Sequence, residues 1–349
     1  MIILNSLNTQ DQLDQQIIDL AQQLLPVPTL IRSELEKKKR LPLLAALNQA
    51  QAQQSALTIV IQQLQTLQKT FCQNVQRVHE SIAQPENLSV KVSLSILAKQ
   101  LTLATTIQTL LQEKHNYAAY ILWRDLYEMD VVTWGLFQPV CQGHNYPKTQ
   151  TLLTRYYDYA KIEQAKNKEL NLHIPDYRLL RFSPEDQQLY QKQQEIYHKY
   201  NVDDRQKNRF NPQKLISNYD WANPLFTEAE LRQFPVPMQP NFVNLVLKSK
   251  NDFPLFISLY TDYLQSSSYI HSSFLSTQFQ DYNRDEYQHL CHIVTFIVAD
   301  FHKRLLDLPA KIAVACAPPG PLPQNLQKQV LAWQLKYHLY NHYYNNLLQ

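Results

Sequence analysis

The sequence predicts an all-α protein, a helical bundle with a long N-terminal helical hairpin. Three observations carry that expectation. Its 349 residues include only three glycines, against roughly 7% in an ordinary globular chain, so the tight hairpins and bulges of a large β fold have little to build on. Apolar residues recur at spacings of three and four along most of the chain, and no run alternates at period two. Nineteen prolines take over the punctuation. The glycine count also excludes function classes: GxGxxG, GxxxxGK[ST] and GxSxG are all absent, which removes dinucleotide folds, P-loop enzymes and the serine-hydrolase elbow.

Element by element, Leu13, Ile17, Leu20 and Leu24 mark a first helix, closed by Pro26, with Thr9 and Gln12 as a capping box ahead of it. A longer helix reads from Leu43 to Ala83 on the stripe Leu57, Ile61, Leu64, Phe71, Val75, Val78 and Ile82; its polar reverse face suits a hairpin with the next segment. Residues 89–114 continue with Leu94, Leu97, Leu101, Ala104 and Leu111. Asn116 is read as the cap of a fourth helix, Tyr117 to Phe137, apolar nearly all round and therefore central. A loop with Pro139, Gly143 and Pro147 precedes a helix near 148–167. Then come a polar helix from Pro184 to Tyr200, a capping box at Thr227 and Glu230, a helix opening at Asp252 and Pro254, another near 283–307, and a tyrosine-rich terminal helix beyond Pro309 to Pro323. The resulting partition is residues 1–85 as the N-terminal hairpin, 86–310 as the bundle core with a polar insertion near 168–215, and 311–349 as a proline-rich linker and last helix.

Net charge is +3, too small to imply a nucleic-acid partner by itself. Cys72, Cys141, Cys291 and Cys316 are far apart with no CxxC pair, which reads as free thiols in a reducing cytoplasm. The N-terminal stretch lacks the basic start and apolar run of a signal peptide, and the apolar run Ile293–Ala299 stops at Asp300, far short of a bilayer. The expectation is a cytoplasmic protein with no membrane partner and no cofactor.

Two segments carry a family resemblance. Leu122-Trp-Arg-Asp-Leu-Tyr-Glu128 resembles the R-x-L-x-E hallmark of a bacterial all-helical domain of unknown function. Tyr263-Leu-Gln-Ser-Ser-Ser-Tyr-Ile-His-Ser-Ser273 is similar to its second signature, S-x-x-[VI]-H followed by small residues. Arg155-Tyr156-Tyr157-Asp158-Tyr159 resembles a third element, and Trp221 stands where the family has a tryptophan. The resemblance covers residues 85–275 and implies a helical domain in which Arg124, Glu128, Ser267, Ser268 and His271 converge, with Arg155 and Tyr156 beside a substrate. An Arg, a His and hydroxyls in a helical cleft could bind a phosphodiester and assist attack by a 2′-hydroxyl, Arg stabilising charge and His moving the proton. That chemistry and architecture resemble the HEPN class of metal-independent ribonucleases of toxin and phage-defence systems, which implies RNA, a second copy of the chain in a homodimer, and an antitoxin or defence protein as partners. The Arg-then-His spacing of that class is also matched by Arg284-Asp-Glu-Tyr-Gln-His289.

Blander readings stand beside each of these. The Arg124–Glu128 pair and a histidine at a helix end also describe ties between helices, and the whole chain also reads as a non-catalytic interaction or oligomerisation module. ExxH occurs at Glu195–His198 and Glu286–His289, but a di-iron bundle needs further central glutamates, so no metal is expected. His338 and His342 form HxxxH without an intervening Glu and are read as a surface pair. Lys37-Lys38-Lys39-Arg40 is read as a helix C-terminus complementing its dipole. From Lys148 to Lys214, 13 basic and 9 acidic residues interleave with seven tyrosines, a composition compatible with base stacking and equally with a solvated insertion.

Overall fold

A computed structural model describes residues 2–26, 29–51, 54–81, 88–172, 218–235, 239–270, 283–317 and 321–348, with Leu215 and positions 188, 191, 192, 195 and 199. Among these the chain forms twelve α-helices, two short 3-10 segments and no strand, so it is all-α as expected. In order they are α1 (Ile2–Leu24), α2 (Thr29–Gln51), α3 (Ala56–Ser81), α4 (Leu88–Gln112), α5 (Asn116–Gly143), α6 (Tyr146–Leu172), α7 (Glu228–Arg232), α8 (Phe242–Lys248), α9 (Pro254–Ser258), α10 (Tyr260–Ile270), α11 (Arg284–Cys316) and α12 (Gln324–Leu347). Contacts divide the chain into two compact units, Met1–Tyr146 with Leu259–Gln349, and Pro147–Ser258.

The first unit is built around α11, a helix of 33 residues that packs against α3, α4, α5 and α12. The stripe Leu57, Ile61, Leu64, Phe71, Val75 and Val78 of α3 is buried, as are Leu13, Ile17, Leu20 and Leu24 of α1. Helix α5 buries residues all round its circumference, as its composition predicts. α1 and α2 pack together and α3 packs on α4, yet residues 1–85 do not form a separate hairpin domain: α3 also lies against α11, and α1 against α12. Those partners are more than two hundred residues away in sequence, beyond any local pattern.

Helix ends depart from the sequence reading where proline or a cap was taken as a boundary. The helix expected over Leu43–Ala83 is two, α2 and α3, with Ser55 restarting the chain by accepting from the Thr58 amide at 3.3 Å. Thr9 lies inside α1, which begins at Ile2. Pro42, Pro139 and Pro309 all lie within helices. A mid-helix proline costs about 3 kcal/mol or more; at Pro139 and Pro309, both buried, packing of a long helix outweighs that cost. Gly135 is likewise interior to α5, and the left-handed residue closing that helix is His144 (φ 49°), not Gly143.

In the second unit, the Thr227–Glu230 capping box is present: the Glu230 amide donates to Thr227 Oγ1 at 3.3 Å and the Thr227 amide to Glu230 Oε2 at 2.7 Å. Asn241 and Asn244 reciprocate in the same way at 2.9 Å ahead of α8. Trp221, Leu231, Leu245 and Phe256 are buried there. The polar helix expected at Pro184–Tyr200 lies almost wholly outside the described residues.

Candidate functional site

On α5, Arg124 lies four residues after Tyr120, and Tyr127 and Glu128 lie three and four after Arg124, so the four share one face. Helix α10 packs on α5. Its Tyr263 joins the two charged residues: the hydroxyl accepts from Arg124 Nη2 at 3.0 Å and donates to Glu128 Oε1 at 2.5 Å. Arg124 Nε reaches the same Glu128 oxygen at 3.4 Å, and its guanidinium carbon lies 4.7 Å from the centre of the Tyr263 ring. The cation therefore has a carboxylate, a hydroxyl and a π face around it. Burial pushes the Tyr263 hydroxyl well above its ordinary range, and the bond to Glu128 pushes the same way. Burial works against the Arg124 charge, but Tyr263 and Glu128 outweigh it and hold the guanidinium charged. The side chains of Arg124 and Glu128 remain 22% and 29% exposed, so solvent reaches this face.

An aromatic ladder backs the cluster. Tyr120, Trp123 and Tyr127 stack at 5.8 and 5.5 Å, Tyr127 meets Tyr263 at 5.4 Å, and Tyr263 stacks on Tyr260 at 5.6 Å. Tyr120 also donates its hydroxyl to the Asp262 carbonyl at 3.1 Å, fixing α10 along α5. Asn116 Nδ2 donates to the Asn283 carbonyl at 3.0 Å, and Asn283 caps α11 by accepting from the Asp285 amide at 2.9 Å.

The sequence-derived Arg–His pairs are recombined by this geometry. Arg284, the first residue of α11, is exposed. His289, five residues on, sits about 140° around the helix from it, so those two do not converge. His289 instead places Nε2 2.8 Å from Asp262 Oδ1. Asp262 and Tyr263 are consecutive, so α10 holds His289 of one expected pair and Arg124 of the other on adjacent residues. His271 lies outside the described residues, as do the side chains of Ser267 and Ser268, whose backbone belongs to α10.

Arg155 and Tyr156 serve inside the second unit. Arg155 is buried and donates from Nη2 to the Asp220 carbonyl at 2.8 Å; Tyr156 meets Trp221 edge-on at 5.3 Å. Both hold the 218–225 segment onto α6, with Tyr159 donating to Asn218 Oδ1 at 2.7 Å. Burial raises the Tyr156 hydroxyl above its ordinary value. Their role is to order the chain around Trp221.

Sequence reasoning missed a second ionic cluster. Asp130 of α5 and Asp300 of α11 are buried around Arg304, which lies 2.7 Å from Asp300 Oδ2 and 3.6 Å from Asp130 Oδ1. Neither Asp130 oxygen accepts a hydrogen bond from a donor among the described residues. Burial, followed by the charge of Asp300, raises the Asp130 carboxyl far above its ordinary range and keeps it protonated. Nearby, burial pushes the Cys141 thiol up to about 12, with Asp307 adding to the effect, so no thiolate nucleophile is available there at neutral pH. His302, buried against Tyr344 Oη at 3.0 Å, is lowered to about 3 by burial, with Lys336 and Lys303 contributing, and stays neutral. The signal was legible: Asp130 and Asp300 each interrupt an apolar run, Met129–Val132 and Ile297–Phe301.

Among the described residues no three His, Cys, Asp or Glu side chains gather in a metal-holding group, and no helix is long and apolar enough to cross a membrane. The chain matches no family model, no curated protein and no solved structure.

Proposed function

We propose that the chain is a HEPN-like helical effector, a metal-independent endoribonuclease of a toxin or phage-defence system acting in the cytoplasm as a homodimer, and that the α5–α10–α11 face is its RNA site. The observation that carries this reading is the Asp262–His289 contact at 2.8 Å next to the Arg124 cluster. Asp262 orients the imidazole, as a carboxylate does for a general base. His289 takes the proton of an RNA 2′-hydroxyl, the oxygen attacks phosphorus, the P–O5′ bond breaks, and the leaving 5′ oxygen takes a proton from water. The products are a 2′,3′-cyclic phosphate and a 5′-hydroxyl end. Arg124, presented by Glu128 and Tyr263, faces the developing negative charge.

The test is incubation of the purified protein with total RNA, with and without EDTA. The expected result is cleavage that EDTA leaves intact and that His289→Ala reduces by about 10²–10⁴-fold without loss of fold. No cleavage by the wild type, or full activity in the variant, overturns the reading.

One observation favours the runner-up, a non-catalytic interaction or oligomerisation module. Arg124 already spends its charge on Glu128 and Tyr263, as a tie between α5 and α10 would. In that reading Arg124→Ala changes self-association in sedimentation and leaves RNA untouched.

A further inference from the structure

Two sequence features read as unrelated surface charge meet in one cleft. Lys37-Lys38-Lys39-Arg40 does not end its helix: α2 runs on to Gln51, so the basic run lies mid-helix, with no C-terminal dipole to complement. Helix α12 packs on α2 and brings the HxxxH pair to the same place. Between them opens a cleft of about 480 Å³ walled by Lys37, Lys38 and Arg40 on one side and His338 and His342 on the other. Its size is in the ordinary range for small-molecule sites, about 300–1,000 Å³.

The charge in this cleft is not compensated from within it. No carboxylate lines it. Lys37 and Lys38 make no ion pair or hydrogen bond among the described residues. Arg40 has Glu36 of its own helix at 3.7 Å, while Lys39 turns aside to Gln23 of α1 at 2.5 Å. Adjacent unpaired cations repel one another, which an anion in the cleft relieves. The remaining lining is not that of a purely electrostatic patch. Leu41 supplies accessible apolar surface beside the buried Leu44 and Leu339, and Asn341 and Asn345 supply amide donors and acceptors. Leu41 is 64% exposed, so its side chain is open to a ligand.

We infer that the α2–α12 cleft binds a nucleotide-sized organic phosphate, its phosphates on Lys37, Lys38 and Arg40 and its base against Leu41 and the asparagines. Charge alone attracts any polyanion. The combination of a half-open cleft of small-molecule size, the exposed Leu41 and the amides suits a small molecule carrying both a phosphate and a planar heterocycle. The site is separate from the α5–α10–α11 face, so it stands whatever the chemistry there.

Calorimetric titration of the full chain tests this with ADP, pyrophosphate, adenosine and a single-stranded RNA oligomer as probes. ADP is expected to bind saturably, more weakly at high salt, with pyrophosphate weaker and adenosine weakest. Lys37→Gln/Lys38→Gln is expected to weaken ADP by about tenfold or more, the scale of one or two lost charge-assisted contacts. His338→Gln, on the opposite wall, is expected to weaken it as well. Both lysines are exposed, so matching thermal melts of the unliganded proteins will show the variants folded. Absence of ADP binding, or ADP binding that the lysine variant leaves unchanged, overturns the proposal. So does binding of the RNA oligomer with none of ADP, since that makes the cleft a strand-binding patch.

Discussion

Helix α5 takes part in two arginine–carboxylate clusters, through Arg124 and Glu128 in one and through Asp130 in the other, and they solve different problems. Arg124, Glu128 and Tyr263 sit partly in water, joined by hydrogen bonds and a stacked ring. Asp130, Asp300 and Arg304 lie inside the bundle, where removing charge from water is expensive and one carboxyl keeps its proton. Exposure leaves the first cluster accessible and energetically minor. Burial makes the second inaccessible and structurally decisive. A charged residue in an apolar helix thus signals function or architecture according to what covers it.

The contrast predicts effects of very different size. Arg304→Met is expected to destabilise the protein by about 3–5 kcal/mol in urea unfolding, because it strands Asp300 without its cation. A loss near that of a surface ion pair would mean that water reaches the buried cluster. Asp130→Asn is the milder probe. The folded Asp130 keeps a proton that the unfolded chain releases above about 3.8, so wild-type stability falls as pH rises through the acidic range. Asparagine donates an N–H in place of the carboxyl O–H and does not titrate. The variant should match the wild type near pH 3 and gain on it by about 1 kcal/mol per pH unit above that. Parallel pH profiles would show that Asp130 is ionised in the fold. Smallest is Arg124→Ala, expected to cost about 1 kcal/mol or less, with the difference shrinking in high salt. A large, salt-insensitive loss would place Arg124 with the buried class and remove the contrast.

Most of the fold was legible locally. The stripes on α1 and α3 and the all-round apolarity of α5 are direct consequences of helical period, and Thr227–Glu230 caps as its spacing requires. The failures came where a local rule met long-range packing. Pro309 reads locally as a stop, but α11 passes through it because both sides of the turn are buried. At the candidate site, Arg124–Glu128 followed from i,i+4 spacing, whereas Tyr263 entering between them depends on α10 docking 139 residues later in the chain. The sequence pairs His289 with Arg284 by spacing along the chain. Helical rotation separates that pair, and its partner Asp262 belongs to another helix.

The division into units has a consequence for biogenesis. The second unit is continuous, Pro147–Ser258, while the first is assembled from both ends of the chain. On a ribosome, α3, α4 and α5 emerge with their apolar faces ready, but α11, which covers them, follows roughly 10–40 s later at ordinary elongation rates. Over that interval the nascent chain shows the surfaces that chaperones recognise, and the continuous unit is free to fold first. Separation in sequence also raises the entropic cost of closing the core, so refolding from denaturant should be slow for a helical protein of this size.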